Sequence, residues 1–171
     1  MLRVLLLAAV VFGFMLVETA RASRNERAQR AHGGREPKHD VYAFMQVAYP
    51  GVFLAMLWEG LLRPAPAAAW IGAGLVVLAA GKLLKWWAIT TLGPFWTFRI
   101  IVVPGTELVR SGPYVYLRHP NYVGVCGELV GVALIAGAPV AGVLGTALFA
   151  GLMLVRVRLE TRALDAILRR G

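Results

Sequence analysis

A single cysteine, Cys126, stands in a chain of 171 residues. One thiol excludes an internal disulfide and any zinc cluster built on cysteine. Acidic residues are also few, nine against eighteen lysines and arginines, and the formal net charge is +9. Such a balance would suit nucleic acid if the bases covered one face. Here they cluster between apolar runs instead, where anionic headgroups attract them. The expected partner is therefore a membrane and not nucleic acid. Lysine is scarcer still, three residues against fifteen arginines, and with abundant Ala, Gly and Val this points to a GC-rich bacterial gene. His32 and His39 lie in an arginine-rich stretch without metal-ligand spacing and read as solvated. No glycine-rich phosphate loop and no Ser–His–Asp arrangement can be drawn.

Apolar residues are abundant. They make up 58% of the chain, where a soluble domain holds about 45–50%. Runs approaching the ~20 residues needed to cross a bilayer recur. Five apolar segments can be drawn, at 2–17, 41–61, 67–87, 122–136 and 140–155. A mixed stretch with Pro94, Pro104, Gly105 and Pro113 follows the third. Gly137-Ala138-Pro139 reads as a tight turn joining the last two segments into a helical hairpin. The expectation is an all-α integral membrane protein, a single domain over 1–171 with about five transmembrane helices. Residues 18–40 read as a basic cytoplasmic loop. The start resembles a signal peptide, with Ala20-Arg21-Ala22 as a cleavage site. However, Arg21, Arg24, Arg27, Arg30, Arg35 and Lys38 follow at once, and such a cluster resists translocation, so a retained span is expected.

The same bias orients the chain. With the N-terminus out and the C-terminus in, sixteen of the eighteen Lys and Arg fall inside, leaving only Arg3 and Arg63 outside.

Chemistry gathers in residues 110–129, RSGPYVYLRHPNYVGVCGEL. A helix starting near Asn121 would carry Glu128 roughly 10 Å in, a depth at which a carboxylate normally faces a cavity or a partner. Pro120 suits a first helical turn. Arg118 and His119 beside that helix start would form an anion site, with Tyr114, Tyr116 and Tyr122 as aromatic faces for a planar base or a cation. Arg156 and Glu160, four apart on one helical face, return beside His119 if the hairpin forms. Lys82, Lys85, Trp86 and Trp87 read as an interfacial belt.

These residues carry a resemblance. Thr106-Glu107-Leu108-Val109-Arg110-Ser111-Gly112-Pro113-Tyr114, then Arg118-His119-Pro120-Asn121-Tyr122-Val123-Gly124, then Glu128, Arg156 and Glu160, resemble the isoprenylcysteine carboxyl methyltransferase family over roughly residues 70 to 168. Arg24-Asn25-Glu26-Arg27 and Glu59 look like its small bacterial branch, linked to O-methylation of phenolic lipids such as alkylresorcinols and alkylpyrones.

The resemblance implies S-adenosylmethionine as cofactor and residues 88–171 as the cofactor-binding catalytic core. Thr106, Glu107, Leu108, Val109, Tyr114, His119, Pro120, Asn121, Tyr122 and Glu160 would line the cofactor site, and Arg156 would face the acceptor. The family often has two adjacent acids after its last span, whereas Thr161 follows Glu160 here. The expected acceptor is a lipid-like molecule, first a phenol or enol and second a prenylcysteine or fatty carboxylate. A phenol would benefit from a base, with His119 or Glu128 as candidates. Transfer from a sulfonium needs neither metal nor covalent intermediate. The expected location is a bacterial inner membrane, with the active site facing the cytoplasm. RHPNY also resembles a stretch of NADPH-dependent sterol-type reductases, which stand as the second reading; a non-enzymatic membrane subunit is the third.

Overall fold

The computed structural model describes residues 1–36 and 41–168, with side chains through Arg162, so Lys38 and His39 lie outside the described residues. Among the described residues five helices follow in order: α1 (Leu2–Ala31), α2 (Tyr42–Leu62), α3 (Ala68–Leu92), α4 (Pro120–Ala136) and α5 (Pro139–Leu168). Short 3₁₀ turns at Gly93–Phe95 and Gly112–Val115 punctuate the connection from α3 to α4. Among the described residues the extended pairing is an isolated bridge between Arg35 and Val102. Four helical segments, Leu2–Ala31, Tyr42–Leu62, Ala68–Phe95 and Pro139–Arg162, are long and apolar enough to cross a membrane, while α4 is shorter. Leu5, Leu83 and Val143 stand on outward faces, as a lipid-facing surface requires. The protein is an all-α membrane protein, because only closed secondary structure satisfies its own backbone in hydrocarbon.

α4 occupies the middle and packs on all four other helices. Its face toward α3 is stripped to glycine. A Cβ built on Gly81 would fall 2.8 Å from the Gly124 carbonyl oxygen, and one on Gly131 2.6 Å from Leu78 N. Small residues let the two backbones touch, which is how helices gain van der Waals contact in lipid, where burial alone drives nothing. On its other sides Leu129 and Val132 meet a core of Phe53 and Met56 from α2, Phe149 and Met153 from α5, and Val4, Leu7 and Val11 from α1.

The helical hairpin is present. Gly137 closes α4 in the left-handed conformation at φ +68°, and Ala138 N donates to Ala133 O at 3.0 Å. The Glu59 carboxylate accepts from Val140 N and Ala141 N at 3.3 and 2.7 Å, capping the start of α5, and pairs with Arg63 at 2.7 Å. Arg3 Nη2 donates to the Ala136 carbonyl at 3.1 Å. Arg3 and Arg63 therefore share one end of the bundle. The loop between α3 and α4 lies at the other.

α5 continues past its apolar segment to Leu168, so Arg156 and Glu160 are helical as expected. One boundary differs from the sequence expectation. α1 does not stop at 17: it runs to Ala31, so most of the supposed basic loop 18–40 is helix. Glu18, Ala22, Asn25, Glu26 and Gln29 are buried, and that spacing is one helical face. Arg24, Arg27 and Arg30 occupy the exposed side. The helix continues because its buried polar side chains find partners.

Candidate functional site

Those partners are backbone groups of the loop after α3. Asn25 Nδ2 donates to the carbonyls of Gly93 at 3.0 Å and Trp96 at 2.8 Å. Gln29 Nε2 donates to the Pro94 carbonyl at 2.9 Å. The Glu26 carboxylate accepts from Phe98 N and Arg99 N at 3.2 and 3.1 Å. Beyond the helix, Arg35 and Val102 exchange backbone bonds of 2.9 and 3.0 Å. An irregular segment needs its buried backbone groups satisfied by other partners, and α1 supplies them.

The pinned loop walls a cavity of about 290 Å³, near the lower limit of common ligand sites. Phe95 through Val102 form one side, and Tyr42, Gln46 and Tyr49 of α2 another. Tyr114 comes from the 3₁₀ turn Gly112–Val115, Arg118, His119, Asn121 and Tyr122 from the start of α4, and Arg156 and Glu160 from α5. Pro120 opens α4, and the N–H groups of Tyr122 and Val123 already bond the His119 carbonyl.

One hydroxyl ties the two chain segments together. Arg156 Nε donates to Tyr122 Oη at 3.0 Å, and Tyr122 Oη donates to Glu160 Oε2 at 3.0 Å. The buried Arg156 also donates to the Phe98 carbonyl. The His119 ring stacks on Tyr122 with centroids 5.4 Å apart and planes 16° from parallel. Burial, then the Glu160 charge, pushes the Tyr114 phenol above its ordinary pKa. The buried Asn121 Oδ1 has no partner among the described residues. Both signs of charge, stacked rings and an unused acceptor thus meet in one cavity.

Several expected residues lie elsewhere. Thr106, Glu107 and Leu108 are exposed and Val109 is half-buried. None of the four lines the cavity, and Thr106 Oγ1 bonds the nearby Val103 carbonyl at 2.7 Å. Pro120 is buried behind the wall, not in it. Glu128 is buried in a four-charge cluster, its Oε1 3.2 Å from Lys82 and 3.3 Å from Lys85. Glu18 of α1 completes it, 3.3 Å from Lys82 and 2.6 Å from Lys85. Lys85 therefore does not belong to an interfacial belt: it is 2% exposed. The lysines turn inward because two buried carboxylates there need them.

Tyr42, Gln46, Tyr49 and the loop from Trp96 to Arg99 escaped the sequence reading. A signal for the first three was available. They are the polar residues in the first half of α2, at the spacing of one helical face, and Pro50 follows Tyr49 inside that helix.

A sequence profile of the isoprenylcysteine carboxyl methyltransferase (ICMT) family matches residues 70–166. The chain is 34% identical over 161 residues to the uncharacterized protein YpbQ of Bacillus subtilis, covering 94% of this chain and 95% of that one. An uncharacterized protein of Haemophilus influenzae is 24% identical over 143 residues, 83% of each chain. No solved structure matches.

Proposed function

Because the chain belongs to the isoprenylcysteine carboxyl methyltransferase family, we propose that it is a membrane methyltransferase using S-adenosylmethionine to methylate an oxygen of a hydrophobic acceptor dissolved in the bilayer. The observation that carries this reading is the Arg156–Tyr122–Glu160 chain beside the stacked His119, facing one cavity. A zwitterionic, partly aromatic cofactor requires that combination of groups. The unpartnered Asn121 Oδ1 in the wall is an acceptor awaiting an N–H or O–H donor, and the residues present fit the group.

When bound, the sulfonium supplies an electrophilic methyl carbon. Glu160 and Asn121 are assigned to its ammonium and amino donors, His119 and Tyr122 to its planar base. Tyr114 completes that wall. Thr106, Glu107, Leu108, Val109 and Pro120 enter the proposal through the family resemblance alone. Arg156, held by Tyr122 and the Phe98 carbonyl, is assigned to orienting the acceptor oxygen. Positioning of this kind contributes up to several kcal/mol of barrier reduction. The buried ion pairs of Glu128 make it a support for this machinery.

A phenolic or enolic lipid is the preferred acceptor and a prenylcysteine or fatty carboxylate the second. The cavity opens at the bundle end opposite Arg3 and Arg63, which the distribution of basic residues assigns to the cytoplasm of a bacterial inner membrane. The test is titration of the purified protein in detergent with S-adenosylmethionine, its demethylated product and NADPH. Binding of the first two is expected. Binding of NADPH alone would establish the reductase reading instead.

A further inference from the structure

The cavity has an inner end away from the residues assigned above to the cofactor. Tyr49 and Lys85 line it there, each about two helical turns, or ~10 Å, from the loop-side end of its helix. The Tyr49 ring is fixed between Phe53 and Phe149, with centroids 4.9 and 5.0 Å away. Its hydroxyl donates to Glu128 Oε2 at 2.6 Å and accepts from Lys85 Nζ at 3.3 Å. A phenolic oxygen with its proton and one lone pair engaged keeps a second lone pair for an incoming donor.

Behind Tyr49 lies the cluster of Glu18 from α1, Lys82 and Lys85 from α3 and Glu128 from α4. α5 presents the Phe149 ring to Tyr49. Two carboxylates and two ammoniums make the cluster formally neutral. Buried ion pairs are weak devices for stability, and ionisable groups at membrane depth usually serve a pathway. This cluster reaches the cavity through Lys85 and through Tyr49, whose hydroxyl is bonded to Glu128.

We infer that Tyr49 takes the proton from a hydroxyl-bearing acceptor and relays its own to Glu128. The inference rests on the methyltransferase reading above. In the step, a lone pair of the acceptor oxygen forms the O–CH₃ bond and the S–CH₃ bond breaks, leaving its electron pair on sulfur. The acceptor O–H bond breaks toward Tyr49 Oη, while the Tyr49 proton passes to Glu128 Oε2. Glu128 ends as a neutral acid and the cluster carries one net positive charge. The reverse relay discharges that proton to water after the methylated product leaves.

Tyr49→Phe tests this, because it removes the relay oxygen and keeps the ring. Three quantities are read on wild type and variant: affinity for S-adenosylmethionine, turnover of a long-chain alkylphenol, and the ratio of affinities for that phenol and its methyl ether, from tryptophan fluorescence without cofactor. Unchanged cofactor affinity, turnover reduced about a hundredfold or more, and loss of the wild-type preference for the free phenol are expected. Retained turnover, or a retained preference, overturns the inference. Glu128→Gln separates relay from recognition: it should keep the preference and lose the turnover, and full turnover would overturn the role of Glu128. If wild type binds the cofactor yet methylates only a fatty carboxylate, or neither acceptor, the inference fails while the cofactor site stands. If wild type binds no cofactor, the methyltransferase reading fails first.

Discussion

Arg156 on α5 and Tyr122 on α4 are joined by a 3.0 Å hydrogen bond from Nε to Oη. The same hydroxyl donates onward to Glu160, so one phenolic oxygen sets the relative positions of a cation and an anion at the cavity. Tyr122→Phe keeps the ring that stacks on His119 and removes this link. Losing a hydrogen bond to a charged group costs about 1.5–3 kcal/mol. Affinity for S-adenosylmethionine should fall roughly tenfold or more, measured by calorimetry in detergent. Equal affinities would detach this triad from cofactor binding.

The Asn25 amide satisfies two loop carbonyls, Gly93 and Trp96. Asn25→Ala leaves both without that donor, at a cost of about 1–3 kcal/mol. The loss should appear locally as faster hydrogen exchange across residues 93–102, with the α3–α4 interface unchanged. Uniform protection in wild type and variant would show that α1 does not hold this wall.

Much of the fold could be read directly. Apolar run length located the helices, and Gly137-Ala138-Pro139 marked the hairpin, because both signals are local. The second half of α1 was misread since its arginines are conspicuous and its buried polar face makes sense only against a loop about 70 residues later. Lys82 and Lys85 have the same difficulty: an inward lysine looks like an interfacial one until Glu18 and Glu128 are brought beside it. Tyr114, His119, Asn121, Tyr122, Arg156 and Glu160 were legible as a group and do meet at one cavity. Thr106 to Val109 were carried by resemblance alone, with no contact to predict.

Orientation gives a third test. Arg3 Nη2 bonds the Ala136 carbonyl and the Arg63 side chain pairs with Glu59, which caps the start of α5, so both arginines sit at the hairpin-turn end. The other basic residues of α1, from Arg21 on, and those of α5 gather at the opposite end, which the positive-inside rule predicts to be cytoplasmic. A fluorescent-protein fusion at the C-terminus should fluoresce, and a phosphatase fusion there should be inactive. The reverse pattern would move the cavity to the outer face and separate it from a cytosolic cofactor.

The four-charge cluster makes the last test. Lys85→Met leaves Glu18 and Glu128 sharing Lys82, which lies 3.3 and 3.2 Å from them. Breaking a buried pair from one side costs about 3–5 kcal/mol, because an uncompensated charge stays behind. Adding Glu18→Gln to Lys85→Met removes one charge of each sign and preserves the Lys82–Glu128 pair. The double variant should therefore unfold at a higher temperature than Lys85→Met alone. Residues in one such network typically show about 0.5–3 kcal/mol of coupling. Thermal unfolding of wild type, both singles and the double in the same detergent measures that coupling. Strict additivity would mean that Glu18 and Lys85 do not interact, and the relay behind Tyr49 would lose its balanced charge.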